Sequence, residues 1–156
     1  MSSTGTNESL YLEDLPVGRR FKSAEHSIDE RQIKAFASAF DPQPFHLDDV
    51  AAGKSIFGGL AASGWHTAAV TMKLVLEGPF RPAGGHIGAR LESLQWPRPT
   101  RPGDELRVET EVLEVRPSES RPDSGWIKVR TTTFNQKDEV VQSYVGNLIV
   151  RRRTLH

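Results

Sequence analysis

The sequence predicts one α+β domain in which an antiparallel β-sheet packs around a central apolar helix. Two segments with helical periodicity come early in the chain of 156 residues, and one of them is apolar on nearly every side. Segments with alternating apolar and polar residues fill the second half, and strands grouped apart from helices are typical of this fold class. No linker or internal repeat interrupts the chain. We therefore expect a flexible tail at residues 1–10 and one domain at residues 11–153.

A short strand and a helix are predicted first. The strand covers residues 20–25, and the helix start is marked by Ser27 and Glu30, which have the spacing of a capping box. This helix should end at Asp41, because a residue that precedes proline is disfavoured in the helical region. Helical spacing of apolar residues predicts one buried face, formed by Ile33, Phe36, Ala37 and Phe40.

A second helix is predicted from Ser63 to Glu77. Before it lies an irregular stretch, with one helical turn begun by Asp48 or Asp49. Few polar residues interrupt the second helix, so we expect it to be buried on several sides.

The second half of the chain predicts four strands in a meander. Alternation is clearest at residues 106–112 and 127–133, and its change of parity after Val112 indicates a β-bulge. Residues 140–152 form a further long strand, and residues 91–96 form a weaker one. Turn residues separate the last three strands and precede the first of them, at residues 102–104, 117–125 and 135–138.

The segment from Asp41 to Gly64 carries the residues with the clearest chemical potential. Asp41 and His46 lie five residues apart on a loop that Pro42 and Pro44 stiffen. A carboxylate and an imidazole can share one water molecule, and imidazole transfers protons near neutral pH. Gly64 is expected at the N-terminus of the second helix, where a free backbone N–H can polarise a closely approaching carbonyl.

This pattern resembles the MaoC-like family, whose (R)-specific enoyl-CoA hydratases carry D-x-N-P-x-H and a later glycine at the central helix. The matching residues are Asp41, Pro44, His46 and Gly64. The resemblance covers residues 13–152 and implies the hot-dog fold, an antiparallel sheet wrapped around a central helix. Gln43 stands where the family often has asparagine, and Ser63 stands where it often has histidine.

The resemblance also implies an activity. The expected reaction is addition of water to a 2-enoyl thioester, or the reverse dehydration of a 3-hydroxyacyl thioester, as in fatty acid metabolism. Asp41 and His46 would activate water, and the Gly64 N–H would bind the carbonyl oxygen. Other residues expected to bind substrate are Gln43, Pro44, Phe45, Phe57, Ser63 and Trp65. Coenzyme A or acyl carrier protein would enter as part of the substrate, with no further cofactor and no metal. Relatives with this fold pair, which implies a homodimer or higher homo-oligomer.

Two other functions fit the same residues: a hot-dog acyl-CoA thioesterase, and a non-catalytic protein that binds acyl thioesters. A hydrolase triad of Ser63, His46 and Asp41 is disfavoured, because the required nucleophile elbow would need glycine at Ala61 and again after Gly64.

Composition narrows the classes of partner. The chain has 20 basic and 20 acidic residues, so its zero net charge gives no broad electrostatic attraction to nucleic acid or anionic membranes. It has no cysteine, which excludes disulfides, cysteine nucleophiles and thiolate metal sites. No apolar run approaches the roughly 18 residues that cross a bilayer, and residues 1–9 lack the features of a signal peptide. We therefore expect a cytoplasmic protein without nucleic-acid or membrane partners.

Overall fold

The domain is built on an antiparallel sheet against which one long helix packs. The computed structural model describes residues 8–153, so most of the predicted tail lies outside the described residues. In chain order the elements are β1 (Arg20–Lys22), β2 (His26–Ser27), α1 (Glu30–Phe40), α2 (Pro44–Leu47), α3 (Asp49–Gly53), α4 (Gly64–Glu77), β3 (Ile87–Gln95), β4 (Glu105–Pro117), β5 (Ser124–Phe134) and β6 (Val140–Arg151). The six-stranded sheet has the order β1-β4-β5-β6-β3, and β2 also pairs with β4.

The three long strands β4, β5 and β6 form the predicted meander. Their alternating residues point into the core as expected, with Leu106, Val108 and Val112 nearly inaccessible to solvent on β4. The predicted bulge is confirmed, because the register of β4 against β5 shifts between Val112 and Glu114. The prediction of a four-stranded meander was wrong, since β3 pairs with the far side of β6 and not with β4. The chain between β3 and β4 instead passes the N-terminal end of α4, where Ala62 N–H donates to Thr100 O at 2.9 Å.

Helix α4 packs one face on the sheet and leaves the other partly open. Its buried residues are His66, Thr67, Val70, Thr71, Leu74 and Val75. Trp65 is 57% exposed and Leu76 is 50% exposed, so the expectation of burial on several sides was wrong within this chain. An apolar composition shows that a helix is able to be buried on several sides, but it does not show whether residues of the same chain bury all of them.

The start of α1 differs from the predicted one by two residues. The capping box is formed by Asp29, whose carboxylate accepts from Gln32 N–H at 2.8 Å, while Gln32 Oε1 accepts from Asp29 N–H at 3.2 Å. Ser27 cannot serve as the cap, because it belongs to β2 and pairs with Glu105.

The end of α1 lies at Phe40, as predicted, and Asp41 is the C-cap residue. The buried face of α1 is narrower than expected, since Ile33 and Ala37 are fully buried whereas Phe36 is half-buried and Phe40 is 74% exposed.

Strand β1 ends at Lys22, earlier than the predicted residue 25. The hydroxyl oxygen of Ser23 accepts a hydrogen bond from Val108 N–H at 2.8 Å, so a side chain and not a strand backbone satisfies this donor of β4 beyond the end of β1.

At the start of the described chain, Leu10 is buried and its N–H donates to Arg81 O at 2.8 Å. The packed domain therefore includes the last residue of the predicted tail. Across residues 8–153, none of the helices combines the length and the apolar content that membrane crossing demands.

Candidate active site

The segment between α1 and α4 brings the predicted acid and histidine together. Asp41 N–H donates to Ala37 O at 2.8 Å and closes α1, after which Pro42 turns the chain. Pro44 opens the short helix α2, a position that suits proline because no intrahelical donor is lost there. This helix was not predicted. It carries His46 back towards the carboxylate of Asp41.

Asp41 and His46 form a close, largely buried pair. Asp41 Oδ2 lies 3.3 Å from His46 Nε2, and their side chains are 16% and 6% exposed. The other ring nitrogen, Nδ1, lies 2.6 Å from the carbonyl oxygen of Ala61. A carbonyl can only accept, so Nδ1 carries the hydrogen. In the neutral ring, Nε2 is then an acceptor that faces a second acceptor, the carboxylate of Asp41.

Two hydrogen bonds hold the carboxylate of Asp41. The hydroxyl of Ser63 donates to Oδ2 at 2.7 Å, and Gln43 Nε2 donates to Oδ1 at 2.5 Å. Burial is the largest single influence and raises the pKa of Asp41, but these two donors, together with the electrostatic influence of the His46 ring, outweigh it. The pKa of Asp41 is consequently lowered, so this side chain is an ionised acceptor near neutral pH.

Ser63 supports Asp41 and does not form a hydrolase triad. Its hydroxyl donates to Asp41 and not to His46, and the residue is fully buried. The same oxygen accepts from Trp65 N–H at 3.2 Å, which makes Ser63 the N-cap of α4.

Gly64 is the first residue of α4 and directly follows Ser63. Its backbone N–H has no hydrogen-bond acceptor among residues 8–153, as is usual for the first donors of a helix. A side chain could not be added here without a shift, because a Cβ atom would lie 2.6 Å from Cε2 of Trp96. The site thus combines a carboxylate, an imidazole and a free donor at the positive end of a helix.

A cleft of about 520 Å³, here called the dyad cleft, opens beside these groups. Five of the predicted site residues line it: Gln43, Phe45, His46, Phe57 and Gly64. Asp41, Pro44, Ser63 and Trp65 are not among its lining residues, so the expected substrate-binding role of Pro44, Ser63 and Trp65 stays a prediction. Pro44 is occupied in opening α2, and Trp65 points to another cleft on the outer side of α4.

Sequence reasoning missed most of the remaining wall. It is formed by Ala62, Thr67, Trp96, Pro97, Arg98, Pro99 and Thr100. Residues 96–100 connect β3 to β4, and the two prolines beside Trp96 were the signal of a stiff loop that could have drawn attention to them.

Arg101 was also missed. Its guanidinium donates to the carbonyl oxygens of Phe57, Gly59 and Leu60, at 2.9 Å for Gly59 and 3.2 Å for Leu60. These contacts hold the loop that carries Phe57, whose ring packs 5.1 Å from the Phe45 ring, centroid to centroid. No three histidine or acidic side chains gather as metal ligands within the described part of the chain.

Comparisons with known proteins identify the family and the fold. A family model described as a MaoC like domain matches residues 14–134. The structure is similar to that of a MaoC-like dehydratase from Rhodospirillum rubrum, with a TM-score of 0.91 and 56% identity, covering 94% of this chain and 100% of that one.

Two sequence relatives extend the likeness. The uncharacterized protein YdeM of Bacillus subtilis is 34% identical over 90% of this chain and 97% of its own. The 3-hydroxybutyryl-CoA dehydratase of Methylorubrum extorquens is 31% identical over 72% of this chain and 69% of its own. With its antiparallel sheet and helix, the chain has the hot-dog fold and belongs to the MaoC-like dehydratase family.

Proposed function

We propose that this protein adds water to 2-enoyl thioesters, or dehydrates 3-hydroxyacyl thioesters in the reverse direction. The observation that carries the proposal is the pairing of Asp41 Oδ2 with His46 Nε2 at 3.3 Å, while Nδ1 is committed to Ala61 O. Both facing atoms accept hydrogen, so a water molecule that donates to both would have its lone pairs free for attack.

In the proposed hydration, the thioester carbonyl oxygen accepts from the Gly64 N–H. Water attacks the β-carbon and gives one proton to the Asp41–His46 pair, while the electrons of the double bond move to the α-carbon and the carbonyl oxygen. The positive end of α4 stabilises the enolate that forms. The pair then returns a proton to the α-carbon. The step balances without a further cofactor, and the coenzyme A or acyl carrier protein arrives with the acyl group.

The test follows two signals during incubation with crotonyl-CoA: the enoyl-thioester absorbance and the concentration of free thiol. We expect absorbance loss without thiol release for the wild type, and a decrease of about 10³-fold or more for Asp41→Asn and His46→Gln. Asp49→Asn and His26→Gln are matched controls, because Asp49 pairs with Lys34 and His26 lies in β2 opposite Leu106, away from the Asp41–His46 pair. Both variants should keep wild-type rates.

Thermal unfolding of each variant separates lost chemistry from lost folding. Thiol release from a saturated acyl-CoA would favour a thioesterase. Acyl-CoA binding with neither reaction would favour a binding protein.

We also propose that the protein is a homodimer joined near β3. This strand ends the sheet order, so its outer edge has no strand neighbour among residues 8–153. Ile87, the first residue of β3, is 48% exposed. An unpaired edge with exposed apolar side chains is typical of strands that pair with a second chain.

A further inference from the structure

A second cleft of about 430 Å³ lies on the outer side of α4. We call it the apolar cleft, since most of its wall is apolar; its lining is Trp65, Ala68, Met72, His86, Gly88, Ala89, Arg90, Leu91, Leu94, Tyr144, Gly146 and Leu148. The mechanism proposed above does not use it. Its apolar lining suits an alkyl chain, which contributes binding free energy in proportion to the apolar area buried.

The two clefts meet along a line of neighbouring residues. On α4, Gly64 and Thr67 line the dyad cleft, whereas the residues that follow each of them line the apolar cleft. At the end of β3 the same change occurs between Leu94 and Trp96. The clefts are therefore neighbouring spaces on two sides of one boundary.

Trp65 and Trp96 form that boundary. Trp65 lines the apolar cleft and Trp96 lines the dyad cleft, and their ring centroids lie 5.3 Å apart at an interplanar angle of 80°. An edge-to-face contact of this kind is a favourable arrangement for two aromatic rings. The pair separates the polar site from the apolar cleft.

The indole of Trp96 is fixed in this position. Its Nε1–H donates to Oε1 of Gln142 at 2.8 Å, and Gln142 Nε2 donates to Oγ1 of Thr71 at 3.1 Å. Gln142 and Thr71 are both fully buried, so breaking this chain would leave polar groups without partners. On the other side the ring packs against Gly64 with no space for a side chain.

We propose that Trp96, backed by Trp65, limits the length of the acyl chain that can reach Asp41 and His46. With both indoles in place, the acyl group has to end within the dyad cleft, which favours a short 2-enoyl group. With the boundary removed, the apolar cleft receives the end of a longer chain. This inference rests on the proposed function, because it names the class of acyl group on which the same site acts.

The test compares kcat/KM for crotonyl-CoA and 2-octenoyl-CoA in the wild type, Trp96→Ala, Trp65→Ala and Trp126→Ala. Trp126 is the matched control, since it is 38% exposed against 40% for Trp96 and lines neither cleft. We expect the wild type to favour crotonyl-CoA. The ratio of octenoyl to crotonyl activity should rise about tenfold or more in Trp96→Ala, as burial of two further methylene groups would give. It should rise in Trp65→Ala and stay unchanged in Trp126→Ala.

An unchanged ratio in both Trp96→Ala and Trp65→Ala, with crotonyl-CoA hydration intact, would overturn this inference and leave the proposed function standing. If the wild type hydrates neither substrate, the proposed function fails, and the inference is then decided by binding of butyryl-CoA and octanoyl-CoA. The same variants should shift the ratio of those two Kd values towards octanoyl-CoA, and equal ratios would overturn the inference. If Trp96→Ala does not fold, Trp65→Ala tests the same boundary, because the exposed Trp65 side chain can be removed with less effect on folding.

Discussion

The Ser63 hydroxyl donates to Asp41 Oδ2 at 2.7 Å while its oxygen accepts from Trp65 N–H at 3.2 Å. One side chain therefore caps α4 and holds the carboxylate that follows α1. The two helices that frame the site are joined at the atom proposed to accept a proton. Any change at Ser63 should consequently alter both the stability of α4 and the acidity of Asp41.

Ser63→Ala should shift the pH dependence of hydration. Asp41 acts as a carboxylate, so activity falls as the pH drops through its pKa. The substitution removes a donor that lowers this pKa, so the pKa rises and the acidic limb of kcat/KM moves to higher pH. Loss of the cap should also cost about 1 kcal/mol of unfolding free energy. Ser63→Thr keeps the hydroxyl and should restore the limb, and an unmoved limb in Ser63→Ala would contradict the assigned role.

Gly64→Ala should damage both folding and activity. The new methyl group would lie within 3 Å of three atoms of the Trp96 ring, and crowding of this kind typically costs about 1–3 kcal/mol. Gly53→Ala is the matched control, because no atom lies within 4 Å of a Cβ placed there. Chemical denaturation of both variants checks the prediction. Equal unfolding free energies of the two variants would contradict it, since they would show that the Trp96 ring moves aside without loss of stability.

Trp96→Leu combined with Gly64→Ala gives a second measurement at the same contact. The smaller side chain should recover part of the stability lost in Gly64→Ala, because the two residues touch and their effects are coupled. A double-mutant cycle of unfolding free energies measures this coupling. Additive effects would contradict it.

Arg101→Met should loosen the loop that carries Phe57. The variant loses the charged donors to Phe57, Gly59 and Leu60, and we expect a loss of about 2 kcal/mol in unfolding free energy. Since the loop forms part of the dyad cleft, KM should rise more than kcat falls. Arg31→Met on the exposed side of α1 is the control. Steady-state kinetics and limited proteolysis would test this, and a fall in kcat alone would count against it.

Ile87→Asp should weaken the proposed homodimer. A carboxylate on the outer strand β3 opposes pairing of two edges, and light scattering should then report the mass of one chain at concentrations where the wild type has the mass of two. Val50→Asp is the control, because Val50 is 66% exposed on α3. A monomeric wild type, or an unaffected Ile87→Asp dimer, would refute an interface at β3.

Features that depend on nearby residues were predictable from the sequence. Alternation located β4 and β5 together with the bulge after Val112, and the proline after Asp41 located the end of α1. The dyad was found because its two members lie on one short segment. The predicted cap of α1 was wrong because two overlapping pairs of residues had the capping spacing, and pairing of Ser27 with the distant Glu105 in the sheet decided between them.

Features that depend on distant partners were not predictable. Trp96 reaches the site through Gln142 and Thr71, and Arg101 reaches it through carbonyl groups about forty residues earlier. Neither arrangement leaves a pattern in neighbouring residues. The neighbour of β3 was mispredicted for the same reason: alternation in the sequence identifies a strand, but it does not identify β6 as the strand with which β3 pairs.

The dyad, its supporting hydroxyl and the free N–H all come from residues 41–64, whereas the indole at the acyl boundary comes from the connection between β3 and β4. The two proposals thus place proton transfer and most of the acyl-length selectivity in separate stretches of the gene. Substitutions at residues 97–100, which leave the contact between Trp96 and Gly64 in place, can accumulate without disturbing proton transfer, so exchange of this short loop is a route to new substrates. Grafting such loops between relatives is then a practical route to altered enzymes.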